Sequence, residues 1–400
     1  MKFYKGKKII ILGGGFDQYD LIIEAQRLGL EVICIDKNPN CFGKKYANEF
    51  YNFSITDKKR IIEIIKKNKI SGIMSICSDR AVPIISDIAK KFNFASISKK
   101  NAKIFTDKIL MKKMFNKKKI HTSKHFVVKN MKEVDKIKKK LNLPMVIKPH
   151  DSFGQKGIFK INNFNNLKDK IKKSISFSSK KRVIIESFVE GDEVNIVVVV
   201  INSKHFFLSF SNRVTFKKKG FGVAYEHSSP IRQSKKFFNN LSKSIKKIID
   251  YTKIKNAILY PQIIIDKNND AYFLEIAARV PGGCMREVSL LASGVDIIKC
   301  QIDMSLKKKI SNIKIIQKDI GVYVKFLTKA DKINIKDIDL KKIDKLKKKK
   351  NIYKIKLNKL NRTPKLENSS SRFAAVVAYG KNVLEAKSYA NKVIKDLGRK

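Results

Sequence analysis

The stretch Val183–Glu193, VIIESFVEGDE, decides how this chain is read. An apolar run of strand length gives way to Phe188–Val189, then to Gly191 and the carboxylate of Glu193. Its neighbours give it meaning. Pro144–Gly157, PMVIKPHDSFGQKG, comes before it, and Tyr272–Gly283, YFLEIAARVPGG, comes after. Each segment alone reads as turn or surface chemistry. In this order they supply a phosphate cradle, a hinge for a purine and ribose, and a strand that carries a carboxylate and an arginine.

In the first segment Lys148 ends the strand MVIK, beside a loop that contains Gly154 and Gly157. Glycine lets backbone N–H groups approach phosphate oxygens, and a lysine at the strand end adds positive charge. GxxxxGK[ST] is absent, so a plain β-turn stays open as an alternative. In the hinge, backbone N–H and C=O groups at the strand end can pair with an adenine edge, and Glu193 can accept two ribose hydroxyls. A strand followed by an acidic turn is the simpler alternative. In the third segment Glu275, Ala277 and Arg279 share one strand face by period-two geometry. The hairpin turn Lys267–Asp270 brings Gln262 opposite Glu275. A carboxylate and an amide oxygen suit Mg²⁺, which bridges nucleotide phosphates. Arg279 suits charge that builds on a transferred phosphoryl group. A surface ion pair between Glu275 and Arg279 is the plain alternative.

Composition bounds the rest. The 400 residues are 43% apolar, enough for two or three globular domains. The net charge of +53 invites a polyanion-binding reading, but 77 of the 88 basic residues are lysine and only 11 arginine. Isoleucine and asparagine are also abundant, and all three residue types share A/T-rich codons. Runs such as Lys58–Lys69 and Lys132–Lys140 place the lysines on solvent faces of helices, and no aromatic-plus-arginine platform interleaves them. No specific nucleic-acid partner is expected. The five scattered cysteines form no CxxC pair, which points to reduced thiols in the cytoplasm. Phe3–Leu12 is broken by Gly13–Gly15 and Asp17, as a strand and its turn would be, and no apolar run is long enough to span a membrane.

The pattern predicts an α/β chain. Residues 1–105 alternate strands (Lys8–Leu12, Glu31–Ile35, Gly72–Cys77) with helices (Tyr19–Leu28, Lys58–Asn68, Ala81–Phe92), as a doubly wound parallel domain does. A helix over Ile104–Lys117 leads into a second unit, 106–310. It has strands at Phe126–Val128, Met145–Ile147, Ile158–Ile161 and Arg182–Ser187, and helices at Met131–Leu141 and Asn166–Ile175. Long strands follow at Val194–Ile201, Phe206–Arg213, Ala257–Asp266 and Ala271–Ala277. Residues 311–400 are expected to hold the charge run Lys341–Lys350, then a strand Arg372–Tyr379 and a helix Val383–Leu397 in a small third α/β unit.

With these segments on the page, the chain resembles the ATP-grasp superfamily over essentially its whole length. The resemblance implies a doubly wound pre-ATP-grasp domain, a two-lobed grasp domain and a small C-terminal α/β piece. It places Lys108 and Lys148 at the nucleotide phosphates and the loop Ser152–Gly157, with Ser152, Gly154 and Gly157, over them. Glu186, Phe188 and Val189 fall at the adenine hinge, Glu193 at the ribose, Glu275 at the metal and Arg279 at the reacting group. Ser370–Phe373, Gly380 and Glu385–Ala386 resemble the closing segment of the carboxylase and purine-ligase branch. Two departures stand out: Gln262 where Asp or Glu is usual, and Ala277 where Asn is usual.

The implied activity is an ADP-forming carboxylate–amine (or carboxylate–thiol) ligase that uses ATP with Mg²⁺ (or Mn²⁺) and passes through an acyl phosphate. Its partners would be small-molecule carboxylate and amine substrates, and the superfamily's habit implies a homodimer. The first substrate is expected at the carboxyl ends of the parallel strands, where Asp79 and Arg80 lie in CSDRAVP, Cys77–Pro83. Arg286 after the Gly282–Gly283 turn is a further candidate, as are Arg213 and His227 in Asn212–Pro230. Asp79 as a helix N-cap is the plain alternative. A non-catalytic ATP-binding protein of the same fold is the rival from another class, motivated by Gln262 and Ala277. A biotin-type carboxylase is less favoured, because no glutamate-and-lysine stretch for bicarbonate is present. A nicotinamide oxidoreductase fails on the first turn, where Gln18 occupies the last glycine position of GxGxxG.

Overall fold

Ile9–Leu12 and Val32–Ile35 are unbroken apolar runs, the pattern of parallel strands covered on both faces. The computed structural model describes residues 3–398 except 136–139, 141, 312, 359 and 361. In it β1 (Lys8–Leu12), β2 (Glu31–Asp36), β3 (Glu49–Asn52) and β4 (Ile70–Met74) form a parallel sheet of order β3-β2-β1-β4. Alternate residues serve opposite faces. Ile9 and Ile11 pack with Leu21 and Ile22 of the helix Tyr19–Arg27, while Ile10 and Leu12 pack with Ile61 and Ile64 of the helix Lys58–Lys67.

The second sheet is antiparallel, built from β5 (His125–Val128), β6 (Met145–Pro149), β7 (Phe159–Ile161) and β8 (Val183–Ser187) in the order β5-β8-β6-β7. Leu167 and Ile171 of the helix Leu167–Ser176 seal its core with Val183 and Ile185.

The third sheet has eight strands. They are β9 (Asp192–Ile201), β10 (Lys204–Thr215), β11 (Ala224–Ser229), β12 (Ala257–Ile265), β13 (Ala271–Ala277), β14 (Gly321–Leu327), β15 (Ile352–Leu357) and β16 (Ala374–Gly380). Their order is β13-β12-β9-β10-β11-β14-β16-β15. The run Val194–Ile201 lies near its centre and splits by period two. Val194, Ile196, Val198 and Val200 pack under Leu241, Ile245 and Ile248 of the helix Lys235–Thr252, while Val197, Val199 and Ile201 join the core that also holds Ile9 and Leu21.

Three expectations change. The helix foreseen over Ile104–Lys117 is two, Lys99–Thr106 and Lys108–Lys117, because Asp107 is extended and its carboxylate accepts from the amides of Ile109 and Leu110. Lys108 therefore opens a capped helix. The strand foreseen at Gly72–Cys77 runs Ile70–Met74, since pairing with β1 starts at Ile70. The C-terminal strands hydrogen-bond into the eight-stranded sheet through β11 and β14, so the sheet passes across residue 310 without a break. The charge run holds the helix Leu340–Lys347. Of the helix foreseen over Met131–Leu141, Met131–Glu133 is a 3-10 turn, and 136–139 and 141 lie outside the described residues. Among the described residues no helix is long and apolar enough to cross a membrane.

A buried clasp joins the ends of the chain. Asp20 accepts from Lys354 and Lys356 at 2.8 Å each, and Lys354 also donates to Glu287 at 2.7 Å. Asp20 is only 8% exposed. Removing one partner of a buried pair leaves the other charge uncompensated. Asp20→Ala is therefore expected to cost about 3 kcal/mol, measured as a lower urea midpoint at unchanged slope.

Candidate functional site

The candidate residues sit where the helix Lys108–Lys117, the end of β6 and the hairpin of β12 and β13 come together. The amide of Lys108 donates to the carbonyl of His150 at 2.9 Å, which stitches the helix start to the end of β6. That bond fixes Lys108 and Lys148 relative to one another. The Lys108 ammonium donates to the Ser152 carbonyl at 2.9 Å and stands 3.3 Å from Glu275. Lys148 stands 3.1 Å from Glu186, which is 2% exposed and also accepts from the Ser123 hydroxyl at 2.9 Å. Burial alone would raise the pKa of Glu186. The charges of Lys112 and Lys148 outweigh it and hold the carboxyl at about 2. Burial likewise opposes ionisation of Glu275, and Lys108 and then Lys148 outweigh it, so that its pKa falls.

The loop after Lys148 needs left-handed backbone at Gly154, Gln155 and Gly157. At Gly157 a Cβ would stand 2.8 Å from Phe177 and 2.9 Å from Pro149, so glycine is required for space as well as for φ +74°. The Gly154 carbonyl accepts from the Ser369 amide at 3.1 Å, which docks the loop on the segment before Arg372.

At the hinge, one expectation is corrected. The Phe188 amide does not face outward; it donates to the Pro144 carbonyl at 3.0 Å. The Phe188 ring is capped by Lys160, whose ammonium lies 3.7 Å from its centre. Glu186 points into the protein toward the lysines. Gly191 has φ +148°, and a Cβ there would stand 2.1 Å from the Ile265 carbonyl oxygen, so the turn into β9 accepts only glycine. Glu193 is bonded by Arg213, which also donates to the Gly222 carbonyl at 2.7 Å.

Gln262 stands opposite Glu275 across β12 and β13, as the hairpin predicts, and opposite Asn195 across β12 and β9. The Asn195 side-chain oxygen is buried and has no hydrogen-bond partner. Glu275, Gln262 and Asn195 thus form a row of one carboxylate and two amides. Among the described residues no group of three or more His, Cys, Asp and Glu could hold a metal ion by itself. The row fits a Mg²⁺ held jointly with phosphate oxygens and waters, the habit of an ion that takes few protein carboxylates.

Arg279 reaches the loop after β4 and not Glu275: it donates to both Asp79 oxygens, at 2.8 and 2.6 Å, and to the Val280 carbonyl at 3.3 Å. Both plain alternatives therefore fall. No ion pair joins Glu275 to Arg279, and Asp79 does not cap the helix Ala81–Phe92, whose N-cap Arg80 has no side-chain bond and is exposed. Arg286 is bound by Asp296 and, at 3.0 Å, by Glu24. His227 is 2% exposed, with Asn195 3.4 Å away and Phe326 edge-on, and burial pushes its pKa well down. It is a neutral core imidazole. Lys108, Phe153, Tyr260, Gln262, Glu275 and Arg279 line one cleft. Lys148, Glu186, Phe188, Val189 and Glu193 do not line it.

Three residues escaped the sequence reading. Asn195 was legible as the one amide in DEVNIVVVVI. Lys112 is buried and carries no signal among so many lysines. Arg372 lies over Phe326 at 4.3 Å and donates to the Ser369 carbonyl at 3.1 Å. Burial lowers its pKa, and among the described residues it has no carboxylate within ion-pair distance.

Comparisons bear on this arrangement. Residues 107–313 match the family described as "Carbamoyl-phosphate synthase L chain, ATP binding domain". The formate-dependent phosphoribosylglycinamide formyltransferase of Sulfurisphaera tokodaii is 30% identical over 197 residues, 48% of this chain and 49% of that protein. The match thus spans about half the length of the curated relative. The L-amino acid ligase of Bacillus licheniformis superposes with a TM-score of 0.81 at 14% identity, covering 98% of each chain. N5-carboxyaminoimidazole synthetase from Staphylococcus aureus complexed with ADP gives 0.78 at 18% identity, again over 98% of each chain. At these identities the superpositions show a shared ATP-grasp fold.

Glu186 titrates lower in the folded chain than its ordinary value of 4.5, so its stabilisation is fully present above that pH and is lost as pH falls toward about 2. Glu186→Gln is expected to cost about 3 kcal/mol at neutral pH, with the gap to the parent closing through that acid window in urea melts at each pH.

Proposed function

We propose, for a chain that belongs to the carbamoyl-phosphate synthase L chain ATP-binding domain family of the ATP-grasp superfamily, that it is an ATP-dependent, ADP-forming ligase joining a small carboxylate to an amine or thiol. One observation carries the reading. Lys108, Gln262, Glu275 and Arg279 line a single cleft together with Phe153 of the glycine-containing loop, and the bond from the Lys108 amide to the His150 carbonyl ties that cleft to the strand that carries Lys148. The formate-dependent relative and the L-amino acid ligase are compatible with activation of a carboxylate.

ATP would lie in this cleft. Lys108 gives up the Ser152 carbonyl for a phosphate oxygen, and Lys148 turns its remaining N–H donors to the phosphates while Glu186 holds it. The carbonyl of Phe188 and the backbone of Val189 remain as hinge groups, and Glu193 meets the ribose, with Arg213 as its neighbour. The loop Ser152–Gly157 closes over the γ-phosphate. Glu275 and Gln262, with Asn195 beside them, would hold Mg²⁺. Bound there, the ion would supply positive charge that offsets the charge of the phosphates.

The substrate carboxylate attacks the γ-phosphorus in line. An oxygen–phosphorus bond forms, the bond to the β-phosphate oxygen breaks, and ADP leaves. Arg279 has five N–H donors and spends three on Asp79 and Val280, which leaves two for the acyl phosphate. The amine or thiol of a second substrate then displaces phosphate at the carbonyl carbon. Asp79 acts by aiming Arg279. Exposed Arg80 is the freer candidate for substrate, because the donors of Arg286 are already engaged by Glu24 and Asp296.

A second reading, ATP binding without catalysis, is favoured by Ala277, which leaves Glu275 as the one carboxylate of the row. Hydroxylamine separates the two. A ligase traps a hydroxamate from its acid substrate, whereas a non-catalytic binder yields none across a broad acid panel despite tight ATP binding.

Glu275→Gln and Arg279→Ala are expected to lower ADP formation at least about 100-fold while thermal melting stays cooperative. Full turnover in either variant would move the chemical centre elsewhere. Because one carboxylate is too few to hold Mg²⁺ firmly, the ion alone should leave the melting temperature unchanged. Saturating ADP with Mg²⁺ should add about 2–3 kcal/mol of stability at roughly 100 times the Kd.

A further inference from the structure

Lys112 lies one turn beyond Lys108 on the helix Lys108–Lys117, and its side chain is 1% exposed. The ammonium donates to the Thr122 hydroxyl at 2.5 Å and to the Ser123 hydroxyl at 3.1 Å, and it stands 3.5 Å from one oxygen of Glu186. The other oxygen of Glu186 takes Ser123 and Lys148. Thr122 in turn donates to the Phe273 carbonyl at 2.7 Å, on β13 two residues before Glu275. Lys112 does not line the cleft. Burial draws its pKa down to about 8 even beside Glu186, so the fold pays a desolvation cost to keep an ammonium there. A hydrophobic side chain would fill the same volume without it.

We propose that Lys112 is a positioning residue for nucleotide binding, which shares Glu186 so that the Lys148 ammonium stays available to phosphate. The inference rests on the ATP reading above and deepens it. With Lys112 in place, two ammonium groups share one buried carboxylate, and the trio carries a net positive charge beside the cleft. Without it, Lys148 and Glu186 become a neutral pair in a low-dielectric setting. A phosphate must then compete with Glu186 for Lys148. The hydroxyls of Thr122 and Ser123 hold the geometry: each accepts from Lys112 and donates its own O–H onward, to the Phe273 carbonyl on β13 and to Glu186 respectively. Lys112 therefore reports to both sides of the cleft without touching the ligand.

The test is calorimetric titration of the full chain with ATP and Mg²⁺, with thermal melting alongside. Lys112→Met is expected to weaken ATP binding at least about tenfold while the protein still melts cooperatively. Lys112→Met combined with Glu186→Gln removes the competing carboxylate, and affinity should rise at least about threefold above that of Lys112→Met alone. A purely packing role for Lys112 predicts no such recovery. A smaller loss in the single variant, or no recovery in the double, overturns the proposal. Should Lys112→Met fail to fold, Lys112→Gln takes its place: a loss of at least about tenfold supports the proposal, and affinity equal to the parent's overturns it. If the parent chain itself does not bind ATP, the ATP reading falls and this inference with it. If the parent binds and Lys112→Met binds equally well, only the inference falls.

Discussion

Four cations stand at or beside one cleft, and each is held by a carboxylate from another element: Lys108 by Glu275, Lys148 by Glu186, Arg213 by Glu193 and Arg279 by Asp79. Like charges gathered in a partly dry space would repel one another strongly. Pairing removes that cost, and because every partner lies on a different strand, loop or helix, pairing also fixes where each element ends. The site and the joining of these elements are therefore one electrostatic problem with one solution. Arg372 departs from this scheme. Its guanidinium is buried over Phe326 and donates to the Ser369 carbonyl.

The scaffold behind these pairs is the strand β9. Its apolar residues feed two cores by strict alternation, so a slip of one residue would exchange the faces and bury the wrong set. The same register that sorts the valines puts Asn195 beside Gln262 and Gln262 beside Glu275. Gly191 sets where that strand begins, since its turn admits no side chain against Ile265. Core packing and ligand placement are thus read from a single phase along the strand.

Legibility in the sequence followed contact distance along the chain. The Gln262–Glu275 pairing was readable because a short hairpin turn, Lys267–Asp270, fixes register locally. Strand ends at Lys148 and Ala277 were visible from apolar runs. The Arg279–Asp79 bond joins residues 200 apart, and nothing in either segment announces the other. The break at Asp107 was missed because its signal, an aspartate before an apolar-periodic run, sat inside a pattern that continued on both sides. β11 and β15 mix polar and charged residues into short runs, and only their pairing across the sheet reveals them as strands. Lys112 falls next to Met111 and one turn after Lys108, on the flank of the apolar stripe formed by Met111, Met114 and Phe115. Among 77 lysines, that position separates a buried ammonium from a solvated one only after the helix has been docked.

The departures at Gln262 and Ala277 acquire a common physical sense once the row is seen. Gln262 and Asn195 offer neutral oxygens, so Glu275 supplies the only protein charge in it. Ala277 stands opposite Tyr260, whose phenol is buried in the same cleft and is pushed by burial to a pKa of about 12, so it stays protonated and neutral. A row with a single negative charge is satisfied by one lysine, which is the Lys108–Glu275 contact of the free protein. Two carboxylates would leave an anion unmatched until a divalent ion arrived. With one, Lys108 balances the row in the free protein, and under the proposed function the phosphates of a nucleotide would draw Lys108 away from Glu275. On this reading the metal and the nucleotide enter as a unit, and the chain avoids holding an uncompensated buried carboxylate between turnovers.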